Sequence, residues 1–257
     1  MSATERVRMK VSLAVQVIDG FTARPITGAG CRLRITGACP PLVRREGYRV
    51  FVNLPEGEWT LHIESPCYYL KTLTVKPGEL EPGSPVIKVR MMPDSTYPVP
   101  PGATGVRGRA GAGRLVQLVC RDKGGHYKLL LEYDRPGLSH SIAIYNPDGL
   151  DLDGRRFLIE DREGVNREYF TILHTAAGED KCSRMDRALE HSYKKIGARV
   201  TPVYTTRADQ YGNFFLIFPQ GERAGGEYDV SEEGPGGRRT PVILEAGRIN
   251  DIQLKEV

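Results

Sequence analysis

A chain of 257 residues, 40% of them hydrophobic, is long enough for one large domain or two ordinary ones, and two is the expectation. Its 36 Lys+Arg against 32 Asp+Glu leave a net charge of only +4, which gives no basis for a nucleic-acid or anionic-membrane partner. Glycine (29) and proline (18) suit many short strands joined by tight turns better than long helices.

The opening MSATERVRMKVSLAVQVID alternates apolar and polar residues and lacks the continuous apolar core of a signal peptide. It predicts a cytoplasmic protein, or one released as part of a particle without a secretory signal. The longest apolar run, Phe214 to Phe218, is too short to cross a bilayer, so no membrane insertion is expected. Within the opening, Val11, Leu13, Val15 and Val17 share one face of a strand that Asp19-Gly20 ends in a turn. The same period returns at Cys31, Leu33 and Ile35, at Val50, Val52 and Leu54, and at Trp59, Leu61 and Ile63, which places Trp59 in the core. Further strands are expected over Tyr68 to Val75 and Val86 to Met91. Residues 1–92 therefore read as a small antiparallel sandwich.

PDSTYPVPPGATG follows, and its four prolines forbid helix and sheet interior alike, making 93–104 a linker. Beyond it, 105–257 resumes strand character at Gly105 to Ala110, Arg114 to Cys120, Tyr127 to Tyr133, Ser139 to Tyr145, Arg156 to Glu160 and Glu168 to His174. One helix is expected, over about 179–196, where EDKCSRMDRALEHSYKKIG puts Cys182, Met185, Leu189, Tyr193 and Ile196 on one stripe and Gly197 at its end. Strands then return at Ala198. Asp209-Gln210-Tyr211-Gly212-Asn213 reads as the polar bend between two of them, with Gly212 free to take positive φ.

IDGFTARPITGAGCRLRIT followed by GYRVFVNLPEGEWTLHIESPCYYLKTLTV resembles the carboxypeptidase regulatory-like, or transthyretin-like (prealbumin-like), β-sandwich domain over roughly Lys10 to Met92. A second copy resembles the first but is interrupted: GVRGRA matches the opening strand, ARVTPVYTTRADQYGNFFLIFP, GGEYDV and PVILEAGRINDIQL match later ones, and 111–197 is then an insertion. The fold expected is thus mainly β: two prealbumin-like antiparallel sandwiches, the second carrying an inserted β-rich segment with one amphipathic helix. The resemblance implies an accessory, adhesive or spacer module rather than a catalyst. The related hydroxyisourate hydrolase ends in Tyr-Arg-Gly-Ser, whereas this sequence ends Leu254-Lys255-Glu256-Val257, so that activity is not expected. The style of the chain also resembles accessory proteins of phage-tail-like contractile injection particles.

Candidate chemistry is sparse. Asp148, Asp151 and Asp153 lie in a glycine-bent loop and offer hard oxygen donors of the kind calcium takes. The register is wrong for an EF-hand, because with Asp151 first the fifth position is Arg155 and the twelfth Arg162, and an Asp- and Gly-rich turn explains the same letters. Tyr68 and Tyr69 point to opposite faces of a strand, so one of them could present a platform for glycan. The five cysteines have no CxxC pair and read as reduced, mostly buried thiols, and the histidines show no HxH or HExxH pattern. No cofactor, catalytic group or zinc site is expected. The leading expectation is a non-enzymatic structural or interaction protein whose partners are protein subunits of a larger assembly. A carbohydrate- or surface-ligand-binding module is the alternative, and an uncharacterised enzyme stands third.

Overall fold

The computed structural model describes residues 9–28, 30–80, 83–121, 127–146, 149–175, 182–222, 224–233 and 239–254. Over these the chain is mainly β, as the alternating pattern predicts, and it divides into two compact units, Met1–Pro98 and Val99–Val257. Among the described residues no helix is long and apolar enough to cross a membrane.

The first unit is built from β1 (Val11–Asp19), β2 (Arg32–Ile35), β3 (Leu42–Val43), β4 (Tyr48–Val52), β5 (Trp59–Glu64), β6 (Lys71–Val75) and β7 (Val86–Met91). One sheet runs β3-β4-β1-β7, with β4 antiparallel and β7 parallel to β1; the other runs β2-β5-β6, antiparallel throughout. Their inner faces share one core, to which Leu13, Val15, Val17, Phe51 and Met91 come from the first sheet and Leu33, Ile35, Leu61 and Ile63 from the second. Val11 departs from its expected face and is 48% exposed, because the register of β1 against β4 shifts between Val11 and Leu13 and the extra residue turns it outward. Trp59 is half-buried, packing against the rim of the core while its indole N–H donates to the Pro55 carbonyl at 3.1 Å.

The second unit contains β8 (Gly105–Arg109), β9 (Leu115–Cys120), β10 (Lys128–Leu129), β11 (Ser141–Tyr145), β12 (Arg156–Glu160), β13 (Arg167–Thr175), β14 (Cys182–Met185), β15 (Arg199–Arg207), β16 (Asn213–Ile217), β17 (Gly226–Glu232), β18 (Thr240–Leu244) and β19 (Ile249–Gln253). A small sheet runs β16-β8-β19, with β16 antiparallel and β19 parallel to β8. A nine-stranded sheet runs β10-β11-β14-β13-β12-β15-β9-β17-β18. The connectivity of the first unit recurs here: β8, β16 and β19 pair as β1, β4 and β7 do, and β9, β17 and β18 as β2, β5 and β6 do. The strands β10 to β14, together with β15, continue the second sheet outward from β9 and enclose a separate core around Phe157, Phe170, Ile172, Leu189 and Tyr193.

The expected helix is not formed. Of its span, residues 179–181 lie outside the described residues, Cys182–Met185 is the strand β14 between β11 and β13, and the rest is bends and turns in which Tyr193 pairs antiparallel with Tyr133. The stripe is only partly buried as expected, with Met185, Leu189 and Tyr193 inside but Ile196 86% exposed and Cys182 half-buried. The physical reason is a distant acceptor. The Glu168 carboxylate on β13 takes the backbone N–H of Glu190 at 2.7 Å and of His191 at 3.0 Å, groups that a helix would have bonded to its own carbonyls. A hydrogen bond to a charged acceptor, joined to β-pairing of the preceding residues, outweighs a propensity difference of a few tenths of a kcal/mol per residue.

The 209–213 segment is a tight bend, as expected. The Asp209 carboxylate accepts the N–H groups of Tyr211 and Asn213, both at 2.8 Å, and Gly212 sits at φ +82. A β-carbon there would meet the Ala110 carbonyl oxygen at 2.4 Å, so both backbone angle and space demand glycine.

Candidate functional site

Tyr68 lies just before β6 and belongs to a cluster centred on Asp19, the last residue of β1. Asp19 is 7% exposed; one oxygen accepts the Phe21 N–H at 2.8 Å, and the other accepts the hydroxyls of Thr22 at 2.9 Å and Tyr97 at 2.8 Å. The Tyr97 ring meets those of Tyr68 and Phe21 edge-on at 5.6 and 6.0 Å. Burial first, and then the Asp19 charge, push the hydroxyls of both Tyr68 and Tyr97 up, so both stay protonated and act as donors. This cluster holds residues 93–97 against the first sandwich, helped by the Asp94 N–H donating to the Cys67 carbonyl at 2.9 Å. Tyr69 is half-buried, its N–H bonded to the Met92 carbonyl at 3.0 Å.

Of the three aspartates with ligand-like spacing, Asp148 lies outside the described residues. Asp151 accepts the Asp153 N–H at 3.1 Å, and its carbonyl takes the Arg155 guanidinium at 2.6 Å. Asp153 is 6% exposed and points back into the fold, where it accepts the Thr175 N–H at 2.8 Å and faces the His174 ring at 3.4 Å. Its position matches a structural need: β13 shifts register between Ile172 and His174, and the carboxylate satisfies a main-chain donor beside that irregularity. Among the described residues no group of three or more His, Cys, Asp or Glu side chains converges as a metal site.

Two buried acids had no signal in the sequence. Glu168 accepts, besides the two N–H groups above, the His191 ring N–H at 3.1 Å and the Tyr193 hydroxyl at 2.9 Å. Burial alone would raise its carboxyl, yet these donors, the Glu190 N–H foremost, hold it below the ordinary carboxylate range. Glu222, after β16, pairs with Arg155 before β12 and accepts the Tyr204 hydroxyl. Burial and then Glu222 hold that hydroxyl well above its ordinary range. The pair is 6 and 10% exposed, and Tyr204 continues into an aromatic stack with Phe218 and Tyr228. Each acid faces donors of the protein itself, which makes it a clamp within the fold. Sequence pattern could not find them, because their partners lie 18 to 67 residues away.

The cysteines are all free thiols, but they are less buried than expected: Cys31 is buried, Cys39 exposed, and Cys67, Cys120 and Cys182 intermediate. They lie in or beside turns and strand ends, where a small thiol is tolerated at many depths. Cys39 lies on the wall of a cleft of about 440 Å³ beside β2 in the first unit. Leu33, Ile35, Ala38, Pro40, Pro41 and His62 complete much of its lining. The two prolines supply wall without an N–H, and β2 itself is the edge of its sheet.

No protein-family model matches the chain, and no curated protein sequence matches it. Among solved structures it is similar to the Bacillus anthracis TIE protein, at 11% identity and a TM-score of 0.22, covering 94% of this chain and 33% of that one. The chain therefore spans about a third of that protein's length. It is also similar to the shaft pilin spaA from Lactobacillus rhamnosus GG, at 10% identity and a TM-score of 0.24, covering 96% of this chain and 97% of that one. A third is the major pilin subunit of Bacillus cereus, at 10% identity and a TM-score of 0.23, covering 95% of this chain and 99% of that one. Overlaps of this size carry no argument about fold or function.

Proposed function

We propose that the protein is a non-enzymatic structural or interaction protein that works through contact with other protein subunits of a larger assembly. The observation that carries this reading is the openness of its sheets. Among the described residues three sheets end in strands paired on one side only, β3 and β7, β2 and β6, β16 and β19, and the large sheet does so at β18, while its other end turns back where Tyr127, beside β10, bridges Val200 of β15; such edges present main-chain groups to a neighbour. The buried acids fit the same reading, since each is engaged by donors of the fold itself. Tyr68 is likewise engaged, so the glycan reading gains no support from it.

The finer proposal is an accessory subunit of a phage-tail-like contractile injection particle, each unit being a prealbumin-like sandwich. It rests on the resemblance of the sequence alone. Both levels are tested by co-expressing the full chain with the products of its neighbouring genes and following them by gel filtration with light scattering and negative-stain microscopy. Co-elution in a defined complex is expected, with tube, sheath or baseplate subunits if the finer proposal holds. A monomer that joins none of them refutes both levels, and a complex with other proteins refutes the finer one.

A further inference from the structure

The two units differ at one corresponding edge. In the second, the strand that precedes β16 is β15, and it pairs antiparallel with β9, Val203 facing Val119 through to Arg207 facing Leu115. In the first, the strand that precedes β4 is β3, and it pairs with β4 in the other sheet. Among the described residues the edge of β2, the counterpart of β9, is therefore left uncapped, and the cleft lined by Leu33 and Ile35 lies beside it. Aligning the buried pairs Ile35↔Leu61 and Leu118↔Val230 makes Arg34 the counterpart of Gln117, and Arg32 that of Leu115.

We propose that β2 is an acceptor for an extended segment of a different protein, which adds antiparallel to Arg32–Ile35 as β15 adds to β9, and carries acidic side chains opposite Arg32 and Arg34. This deepens the interaction-protein reading and rests on it. The chemistry of the occupant follows from cross-strand pairing. Residues opposite Gln117 and Leu115 on β15 are Thr205 and Arg207; against Arg34 and Arg32, both exposed, Glu64 on β5 supplies one carboxylate, bonded to Arg34 at 2.6 Å, and one acid against two arginines leaves those positions on an added strand calling for carboxylates. A second copy of this chain is a poor donor. Among the described residues its edge strands β2, β6 and β7 carry Lys or Arg and no acid, β3, β16 and β18 carry no charge, and the single acid of β19, Asp251, is held by Arg107 at 2.6 Å. Like charges directly opposite one another destabilise a pair of strands.

The probe is a synthetic peptide with the sequence of residues 200–207 carrying Thr205→Glu and Arg207→Glu, offered to the full chain with fluorescence polarisation and amide hydrogen exchange as readouts. Saturable binding with new protection confined to Arg32–Ile35 and its surroundings is expected. The double variant Arg32→Gln, Arg34→Gln should weaken binding about tenfold or more while leaving the thermal melt of the chain within about 3 °C, since it gives up only the exposed pair of Arg34 with Glu64 and sets no acid opposite Glu64. A second peptide with lysine at the two acidic positions should bind the double variant better than the original chain. No saturable binding, binding indifferent to the charge swap, or protection on another edge overturns the proposal. So does protection of Arg32–Ile35 on raising the protein concentration alone, which would make the edge a self-interface. A chain that enters its assembly yet fails these tests leaves the broader function standing and refutes the acceptor edge.

Discussion

Replacing Glu168 by glutamine tests the account of why residues 182–196 are not helical. One carboxylate oxygen takes the Glu190 N–H at 2.7 Å, and the other takes the His191 N–H, the His191 ring N–H and the Tyr193 hydroxyl between 2.9 and 3.1 Å. Glutamine can keep its oxygen toward the three donors, but its NH2 then faces the Glu190 N–H, so one bond is replaced by opposed donors and the others lose their charge assistance. Bonds to a charged acceptor contribute about 1.5–3 kcal/mol each, and an unmet buried donor costs about 1–3, which makes the net loss about 2–4 kcal/mol. For a unit of this size the melting temperature should fall by roughly 5–15 °C. The assay is differential scanning calorimetry with residue-resolved hydrogen exchange. Faster exchange confined first to the 190 and 191 amides is expected. If those amides stay protected in the variant and the melt is unchanged, they are bonded elsewhere, as in a helix, and the reasoning is refuted.

The same carboxylate sets a pH dependence: because its folded pKa is held down, its stabilisation is present above the ordinary carboxylate value of about 4.3 and is lost as pH falls through the folded value. The difference in melting temperature between the native chain and Glu168→Gln should therefore be constant from about pH 7 to 5 and shrink below about pH 4, measured by circular dichroism. Tyr97→Phe should cost the first unit about 1–2 kcal/mol by removing one donor from buried Asp19, and limited proteolysis should then cut within 94–97 faster. Gly212→Ala should destabilise by about 2 kcal/mol or more, read by chemical denaturation, since φ +82 and the Ala110 carbonyl both resist a β-carbon. Millimolar calcium should leave the melting temperature unchanged, because Asp153 already serves Thr175 and His174; a rise would show that the loop takes the ion.

What was legible in the sequence was local. Period-two alternation placed β5 closely because one of its faces meets a core and the other is more open, whereas β12 at its observed bounds, and β1 and β16 closely, were legible as short apolar stretches between turns, and both of their faces are buried. The turn at 209–213 was legible too, since an aspartate capping its own bend and a glycine at positive φ lie within five residues of each other. The helix misreading arose where a local pattern met a distant competitor. Met185, Leu189 and Tyr193 do lie inside, but on a chain path held by Glu168 and by pairing of β14 with β11 and β13. The cleft at β2 was illegible for a related reason: a strand looks the same in sequence whether its edge is capped or open.

The parallel pairing of β19 with β8 also bears on how the protein is made. Asn250 faces Val106, and its side-chain amide bonds the Gly105 carbonyl at 3.1 Å across 145 residues of chain. During synthesis β8 leaves the ribosome early and can gain neither β16 nor β19 until translation has passed Ile217 and then Gln253. At some 5–20 residues per second that interval lasts roughly 7–30 s, during which the apolar face of β8 has no permanent cover. The second unit should thus be the slower to mature and the more dependent on chaperones, while the first, complete by Pro98, can fold as the rest emerges.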